Sequence, residues 1–159
     1  MSDTRLENYG PWALVAGGSE GIGLCFARRL AAAGINLVLL ARRPGPLAAA
    51  RDELQRVYAV EVRTHALDLT SPELEDELPA LTADLDIGLL VYNAGATHGA
   101  SPFHDNPLER AHQLVALNCT GPLVFTHLLG GRMRERGRGG IILLSSMAGL
   151  AGGGFITTY

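Results

Sequence analysis

Directly after the apolar run WALV (12–15) comes AGGSEGIG, Ala16 to Gly23, and the architecture of the chain follows from how this stretch is interpreted. Glycines 17, 21 and 23 form a G-x-x-x-G-x-G spacing where a predicted strand turns into a predicted helix. Glycines let backbone approach a pyrophosphate closely, and the first amides of the next helix then face that charge. A tight turn alone also uses glycines, so the interpretation depends on the surrounding elements.

Strand and helix patterns alternate along the rest of the chain. Continuous apolar runs predict buried parallel strands at 12–17, 36–41, 87–95 and 140–146, with a weaker fifth at 60–68. Helical patterns cover 21–33, 46–57, 71 to about 83, and a long region from 105 to about 134 that is interrupted near Gly121-Pro122. This order predicts an α/β fold: a Rossmann-type, doubly wound parallel sheet with helices on both faces, forming one dinucleotide-binding domain over residues 1–159.

Composition narrows the classes of partner. The 159 residues are 47% hydrophobic and 18% charged, which is typical of a globular domain and not of a disordered chain. The net charge of −3 argues against nucleic-acid binding. Without a signal peptide or an apolar run of about 20 residues, we expect a cytoplasmic protein with no membrane partner. Cys25 and Cys119 are expected to be buried thiols, and the five histidines lack ligand spacing, so no metal site is predicted.

Several motifs together resemble the short-chain dehydrogenase/reductase family. They are AGGSEGIG, the Asn93-Ala94-Gly95 turn, Asn118, and Ser146 followed by Tyr159 thirteen residues later. The resemblance covers essentially the whole chain and departs at Ala16, where the family usually has threonine. It implies hydride transfer between a nicotinamide cofactor and a carbonyl or secondary alcohol. The cofactor-binding residues expected from the motifs are Gly17, Ser19, Glu20, Gly21, Ile22, Gly23, Arg42, Arg43, Asp68, Leu69, Asn93, Ala94 and Gly95.

The end of the second strand predicts which dinucleotide binds. In dinucleotide folds an acidic residue here selects NAD by hydrogen bonding the ribose 2′-hydroxyl, but LLARRPGPL (39–47) has Arg42 and Arg43 instead. A guanidinium suits a 2′-phosphate, so we predict NADP(H), with Arg42 the nearer ligand. The alternative is that both arginines are ordinary surface charges. Glu20 is a contrary sign, because it would repel the phosphate unless it turns outward.

Two further segments are assigned through the resemblance. It implies that Asp68 contacts the adenine ring, with Leu69 beside it; the alternative is that Asp68 only caps a helix before Ser71. It also implies that Asn93-Ala94-Gly95 steadies the sheet and lies against the adenosine ribose. The alternative for that segment is a simple turn of small residues.

The resemblance also supplies the catalytic roles. Tyr159 matches the tyrosine that protonates the substrate oxygen, Ser146 the serine that positions it, and Asn118 the asparagine that holds a water in the proton relay. Ser145 is a rival for the serine role, but adjacent strand residues point to opposite faces and the interval favours Ser146. His98 and His104 are candidates to face the substrate, a small-molecule carbonyl or alcohol.

The family's tyrosine is followed four residues later by a lysine, a position beyond Tyr159. The sequence therefore predicts a C-terminally incomplete domain that lacks the family's remaining strands, helices and substrate loop. Two interpretations stay open: an NADP(H)-dependent oxidoreductase, or a truncated nucleotide-binding fragment with impaired catalysis. Family members pair through the long helix and the next one, so a homodimer or homotetramer is expected if the full chain exists.

Overall fold

The computed structural model describes residues 8–151. Its sheet has five parallel strands in the spatial order β3-β2-β1-β4-β5. The strands are β1 Trp12–Ala16, β2 Asn36–Ala41, β3 Val62–Ala66, β4 Ile87–Tyr92 and β5 Gly140–Leu143. The chain starts at the centre, runs outward to β3, returns past β1 to β4, and reaches β5 at the other edge. The predicted doubly wound α/β architecture is confirmed.

Helices connect the strands. They are α1 Gly21–Ala32, α2 Pro44–Val57, α3 Leu74–Leu81, α4 Leu108–Val115, α5 Gly121–Arg136 and α6 Ala148–Ala151. A 3₁₀ turn at Phe103–Asp105 precedes α4, and a π-helical turn at Ala116–Thr120 joins α4 to α5. The long helical region is therefore interrupted as expected, by a π turn that ends where Gly121 begins α5.

The core consists of two apolar layers, one on each face of the sheet. Successive residues of a strand point to opposite faces, so Leu14 packs in one layer with Phe125 of α5 while Val15 packs in the other with Leu54 of α2. Every residue of β1 and β4 is buried. The apolar runs of β1 and β4 thus correspond to strands covered on both sides. The prediction that β5 is buried was wrong, because Ile141, Ile142 and Leu143 are exposed at the edge of the described sheet.

Several predicted boundaries were too long or displaced. β4 ends at Tyr92 and β5 at Leu143, although the next residues, Asn93 and Leu144, each still donate a backbone hydrogen bond to the neighbouring strand. Pro44 occupies the start of α2, two residues earlier than predicted, where the missing amide of proline costs nothing. Before α3, the Ser71 carbonyl accepts the Leu74 N–H at 3.3 Å, so a separate turn precedes the helix.

The prediction that both cysteines are buried was wrong: Cys25 and Cys119 are free and exposed. The buried residues of α1 recur every four positions at Gly23, Ala27 and Ala31, which turns Cys25 away from the core. Cys119 lies in the π turn, in which no residue is fully buried.

The helical region Leu108–Arg136 is long and apolar enough, by length and composition alone, to cross a membrane. Its residues Val124, Phe125, Leu129 and Met133 are buried against the sheet. One side of this helical region therefore packs against the sheet.

Candidate cofactor site

The glycine turn between β1 and α1 is closed by backbone contacts. Gly17 has φ +78°, a conformation that favours glycine, and its N–H donates to the Leu40 carbonyl at 2.7 Å. A Cβ added at Gly23 would lie 2.0 Å from the Gly17 carbonyl oxygen. Only glycine fits at position 23, because the first turn of α1 lies directly against the loop that precedes it.

Asn93 holds this turn against the end of β4. Its backbone N–H donates to the Ala16 carbonyl at 3.0 Å, and its side-chain Nδ2 donates to the Gly17 carbonyl at 3.1 Å. A Cβ at Gly17 would meet the Ala94 nitrogen at 2.9 Å. The Asn93-Ala94-Gly95 segment therefore fixes the glycine turn, and is more than a turn of small residues.

The N-terminus of α1 is open to a ligand. Glu20 is the N-cap residue in an extended conformation, and no side chain of residues 8–151 caps the helix. Ile22, in the first turn, is 62% exposed. The uncapped amides and the helix dipole provide a site for an anionic group, which is what a dinucleotide pyrophosphate requires.

A cleft of about 270 Å³ begins at this helix end and crosses the carboxyl edge of the sheet. Nine of the predicted cofactor residues line it: Gly17, Ser19, Glu20, Arg42, Arg43, Asp68, Leu69, Ala94 and Gly95. Sequence reasoning missed Ala41, Leu67, Thr70 and Leu117, which complete the walls. Gly21, Ile22, Gly23 and Asn93 shape the turn and do not line the cleft.

Of the two arginines that line the cleft, one forms an ion pair and the other forms none within the described residues. Arg43 forms an ion pair with Glu20, and their side chains are 67% and 57% exposed. Arg42 is exposed and has no carboxylate partner within the described part of the chain. Glu20 therefore turns toward Arg43, and of the two arginines that line the cleft Arg42 is the one without a carboxylate partner in the described residues.

Asp68 stabilises its own loop. Its Oδ1 accepts the Thr70 N–H at 3.0 Å and the Thr70 hydroxyl at 2.8 Å. The alternative that Asp68 caps a helix was wrong, because α3 begins at Leu74 after Glu73; Asp68 instead closes the turn at Thr70, and its side chain also lines the cleft beside buried Leu69. The two roles are compatible, because the hydrogen bonds use one carboxylate oxygen.

Asn118 clamps the loop that follows β4. Its Oδ1 accepts the Ala96 N–H at 3.1 Å and its Nδ2 donates to the Ala96 carbonyl at 2.9 Å. The amide lies in the π turn, which brings it from the helix to the cleft edge. Asn118 consequently positions the wall formed by Ala94 and Gly95, a role that the sequence did not predict.

Tyr92 supports the π turn from below. Its hydroxyl donates to the Leu117 carbonyl at 2.7 Å, and burial raises the pKa of this phenol, so it stays a protonated donor. A Cβ at Gly121 would lie 2.2 Å from the Tyr92 oxygen, so glycine is required there. In the sequence, a tyrosine at the end of a buried strand indicates a hydroxyl that needs a hydrogen-bond acceptor. The acceptor itself, the Leu117 carbonyl, is 25 residues away and could not be identified from the sequence.

The predicted catalytic residues are only partly described. Ser146 follows β5 by three residues, is half-buried, and its Oγ accepts the Ala148 N–H at 3.2 Å. Because both serines lie beyond the strand, strand alternation does not choose between them; Ser145 is the more exposed. Tyr159 lies outside the described residues.

His98 and His104 line a second, smaller cleft of about 170 Å³ together with Phe103 and Arg110. The Nε2 of His98 is buried without a hydrogen-bond partner in the described part of the chain. Among residues 8–151, no three His, Cys, Asp or Glu side chains are grouped to hold a metal ion.

The glycine turn, the Asn93 side chain that holds it and the adjoining cleft are accompanied by a match to a known family. A model of the short chain dehydrogenase family matches residues 11–159. The chain belongs to the short-chain dehydrogenase family. The structure gives each of the motif residues Gly17, Asn93 and Asn118 a defined contact.

Members of the short-chain dehydrogenase family with similar sequences include the very-long-chain 3-oxoacyl-CoA reductase of Ajellomyces capsulatus (strain NAm1 / WU24). It is 38% identical over 162 residues, which cover 98% of this chain and 48% of the relative. The chain thus spans about half the length of that protein.

Solved structures of the family superpose closely. A 7beta-hydroxysteroid dehydrogenase gives a TM-score of 0.92 at 29% identity, covering 97% of this chain and 59% of that one. The short-chain dehydrogenase from Sphingobium yanoikuyae in complex with NADPH gives 0.87 at 31%, covering 94% and 59%. An NAD+-bound xylitol dehydrogenase gives 0.85 at 28%, covering 96% and 59%. Neighbours therefore bind either dinucleotide.

Proposed function

We propose that the protein is an NADP(H)-dependent oxidoreductase that transfers a hydride between the nicotinamide and a carbonyl or secondary-alcohol carbon. The observation that carries the proposal is the glycine turn closed at Gly23, which opens onto a cleft with two arginines at the end of β2. These features match the pyrophosphate and the 2′-phosphate of NADP(H) respectively.

Different residues of the cleft would contact different parts of the dinucleotide. The Gly17 turn and the uncapped α1 amides would hold the pyrophosphate, and Arg42 would pair with the 2′-phosphate. Asp68 and Leu69 would border the adenine, and Gly95, fixed by Asn118, would border the ribose. With the adenine at β2 and β3, the nicotinamide end would extend across the sheet edge toward the segment that follows β5.

When bound, the dinucleotide supplies the hydride for reduction or accepts it for oxidation. The Ser146 hydroxyl would orient the substrate oxygen and the Tyr159 phenol would donate or remove its proton, the roles that the family motif assigns. An unperturbed tyrosine has a pKa near ~10, so it is protonated at neutral pH and suited to act as an acid in reduction. Asn118 would keep the loop at the cleft edge in place during the transfer.

For the substrate we propose a 3-oxoacyl thioester, the class in the name of the Ajellomyces capsulatus relative. In this reaction the 3-oxo carbon receives the hydride and its oxygen receives the proton, which yields a 3-hydroxyacyl thioester. The exposed apolar residues Met147 and Leu150 follow Ser146, and an acyl chain has the chemistry to cover them.

The direct test is a two-part assay on the purified chain. NADPH binding is measured by fluorescence titration, and turnover by the loss of NADPH absorbance with a 3-oxoacyl-CoA and, separately, with a simple ketone. We expect binding and 3-oxoacyl-CoA-dependent oxidation of NADPH, and Ser146→Ala should reduce turnover far more than binding. If NADPH does not bind, the proposal fails as a whole.

A second candidate function is nucleotide binding without catalysis. It is favoured by one observation: the cleft is lined by predicted cofactor-binding residues, and neither Asn118 nor Ser146 is among its lining residues. NADPH binding with no turnover on either carbonyl would support it. Homo-oligomerisation and a cytoplasmic location remain proposals, and sedimentation of the protein with and without NADPH would test the first.

A further inference from the structure

The π turn at Ala116–Thr120 takes one backbone carbonyl out of the usual helical pattern. In an α-helix the Leu117 carbonyl would accept the N–H of residue 121, and in a π turn it would accept that of residue 122. The Gly121 N–H donates to the Ala116 carbonyl instead. Residue 122 is proline, which has no N–H. Neither of these two described residues therefore gives the Leu117 carbonyl a hydrogen bond.

The Tyr92 hydroxyl supplies the missing donor from the end of β4. It donates to the Leu117 carbonyl at 2.7 Å. The tyrosine ring packs edge-on against Phe125, with the ring centroids 5.3 Å apart. A Cβ at Gly121 would overlap the hydroxyl oxygen, so the helix has a glycine where the hydroxyl needs room. The sheet and the helix thus fix one position for this oxygen.

The peptide unit that Tyr92 holds also sets the direction of the Asn118 side chain. A peptide bond is planar, so the Leu117 carbonyl and the Asn118 N–H turn together. The Asn118 amide makes two hydrogen bonds to Ala96, over 3.1 and 2.9 Å. A Cβ added at Gly95 would meet the Asn118 Oδ1 at 3.4 Å, so this amide lies directly against a residue that lines the cleft. The contacts therefore run from β4 through the π turn to the cleft wall.

We infer that Tyr92 is a positioning residue: its hydroxyl orients the peptide unit before Asn118, and thereby holds the Asn118 amide and the wall at Gly95 in the geometry that binds NADPH. The choice of NADPH as the ligand rests on the proposed function. Tyr92 is not among the residues that line the cleft, so its effect on a ligand passes through the π turn. A phenylalanine would fill the same space and leave the carbonyl free to turn.

The expected size follows from the loss of one hydrogen bond. Tyr92→Phe keeps the ring and its contact with Phe125 and removes only the hydroxyl. A net hydrogen bond between neutral groups corresponds to about a fivefold change in an equilibrium constant, so we expect NADPH binding to weaken about three- to fivefold. The exchange rate of the Ala96 amide should rise by a similar factor, because the Asn118 Oδ1 protects that N–H. Loop amides exchange through local opening, so this rate is independent of global stability.

The experiment measures NADPH affinity by calorimetry and amide hydrogen exchange by nuclear magnetic resonance on the whole chain. The variants are Tyr92→Phe, Asn118→Ala and the double variant. In the Asn118→Ala background Tyr92→Phe should not weaken NADPH binding further, since the amide through which it acts is gone. Phe125→Leu is the matched control, because Phe125 is fully buried against the tyrosine ring. It should lower stability and leave both the NADPH affinity and the Ala96 exchange rate unchanged.

The outcomes separate positioning from simple core stability. Weaker NADPH binding and faster Ala96 exchange in Tyr92→Phe, both absent in Phe125→Leu, support the inference. If Tyr92→Phe lowers the melting temperature but changes neither readout, the hydroxyl only stabilises the core and the inference is wrong. The inference is also wrong if the losses of affinity from Tyr92→Phe and Asn118→Ala add, since the hydroxyl then acts by another route. If the starting protein does not bind NADPH, the proposed function fails, and Ala96 exchange alone decides whether Tyr92 holds the Asn118 amide.

Discussion

Gly23→Ala tests whether the closed glycine turn underlies cofactor binding. The new Cβ would lie 2.0 Å from the Gly17 carbonyl oxygen and 2.8 Å from the side-chain nitrogen Nδ2 of Asn93. A contact with a backbone oxygen needs about 3 Å or more, so the loop must retreat by about 1 Å. Overpacking of this kind costs about 1–3 kcal/mol, and alanine's helix propensity offsets at most about 1 kcal/mol of that.

We therefore expect the free energy of unfolding to fall by about 1–2 kcal/mol, measured by urea denaturation followed by circular dichroism. The affinity for NADPH should fall by at least about tenfold, because the displaced loop carries Gly17 and faces the α1 amides. The loss of affinity should persist at temperatures where the variant is fully folded.

Gly131→Ala is the matched control. Gly131 lies inside α5, and a Cβ there meets nothing within 4 Å. This variant should be as stable as the starting protein or up to about 1 kcal/mol more stable, with unchanged NADPH affinity. If Gly23→Ala behaves like Gly131→Ala in both measurements, the turn relaxes freely and the reasoning from the close contact is refuted.

Three further predictions concern other parts of the fold. Burial and the neighbouring Arg63 guanidinium lower the pKa of His65. On acidification the unfolded chain therefore takes up a proton before the folded one, and the free energy of unfolding should decline as pH falls below about 6.5. His65→Gln should flatten this decline in urea unfolding measured at several pH values. Tyr92→Phe should cost about 1 kcal/mol of stability, because the Leu117 carbonyl of the π turn loses its hydrogen bond from the Tyr92 hydroxyl. Tyr92→Phe should also partly rescue Gly121→Ala, whose new Cβ clashes with the same hydroxyl. If the two substitutions change the melting temperature additively, the clash is contradicted. Asn118→Ala removes the two hydrogen bonds to Ala96 beside the cleft wall. It should weaken NADPH binding about tenfold and lower the free energy of unfolding by about 1–3 kcal/mol. Unchanged binding by calorimetry would show that the wall holds its position without these two hydrogen bonds.

The sheet was predictable because its strands are unusually uniform. β1 and β4 are buried along their whole length, and a strand covered on both faces leaves a continuous apolar run that few other structures produce. The ends of the strands were less predictable. Asn93-Ala94-Gly95 directly follows β4, and the Asn93 N–H still donates to Ala16 of β1, while its side chain turns to the Gly17 carbonyl of the glycine turn.

The glycine turn and its surroundings were predictable for a different reason. Close backbone approach restricts a position to glycine, so Gly17 and Gly23 leave a visible pattern in the sequence. The Arg43–Glu20 pair leaves none, because either residue is ordinary on a surface and their pairing depends on the loops meeting in three dimensions. Local composition likewise misled the assignment of Cys25, since an apolar helix still has an outward face.

The parts of the candidate site differ in how firmly the fold holds them. Most cleft residues lie at the ends of β1, β2 and β4, which each have two neighbouring strands, while Asp68 and Leu69 follow β3 at the other edge of the described sheet. Ser146 instead follows β5, which forms the edge of the described sheet and exposes 51% of Leu143. Binding therefore depends mainly on the buried central strands, whereas orientation of the substrate oxygen depends on β5 alone, an exposed edge strand with one neighbour in the described residues. This asymmetry is the physical reason to measure NADPH affinity and turnover separately: damage to the edge should abolish catalysis while the cleft still binds its nucleotide.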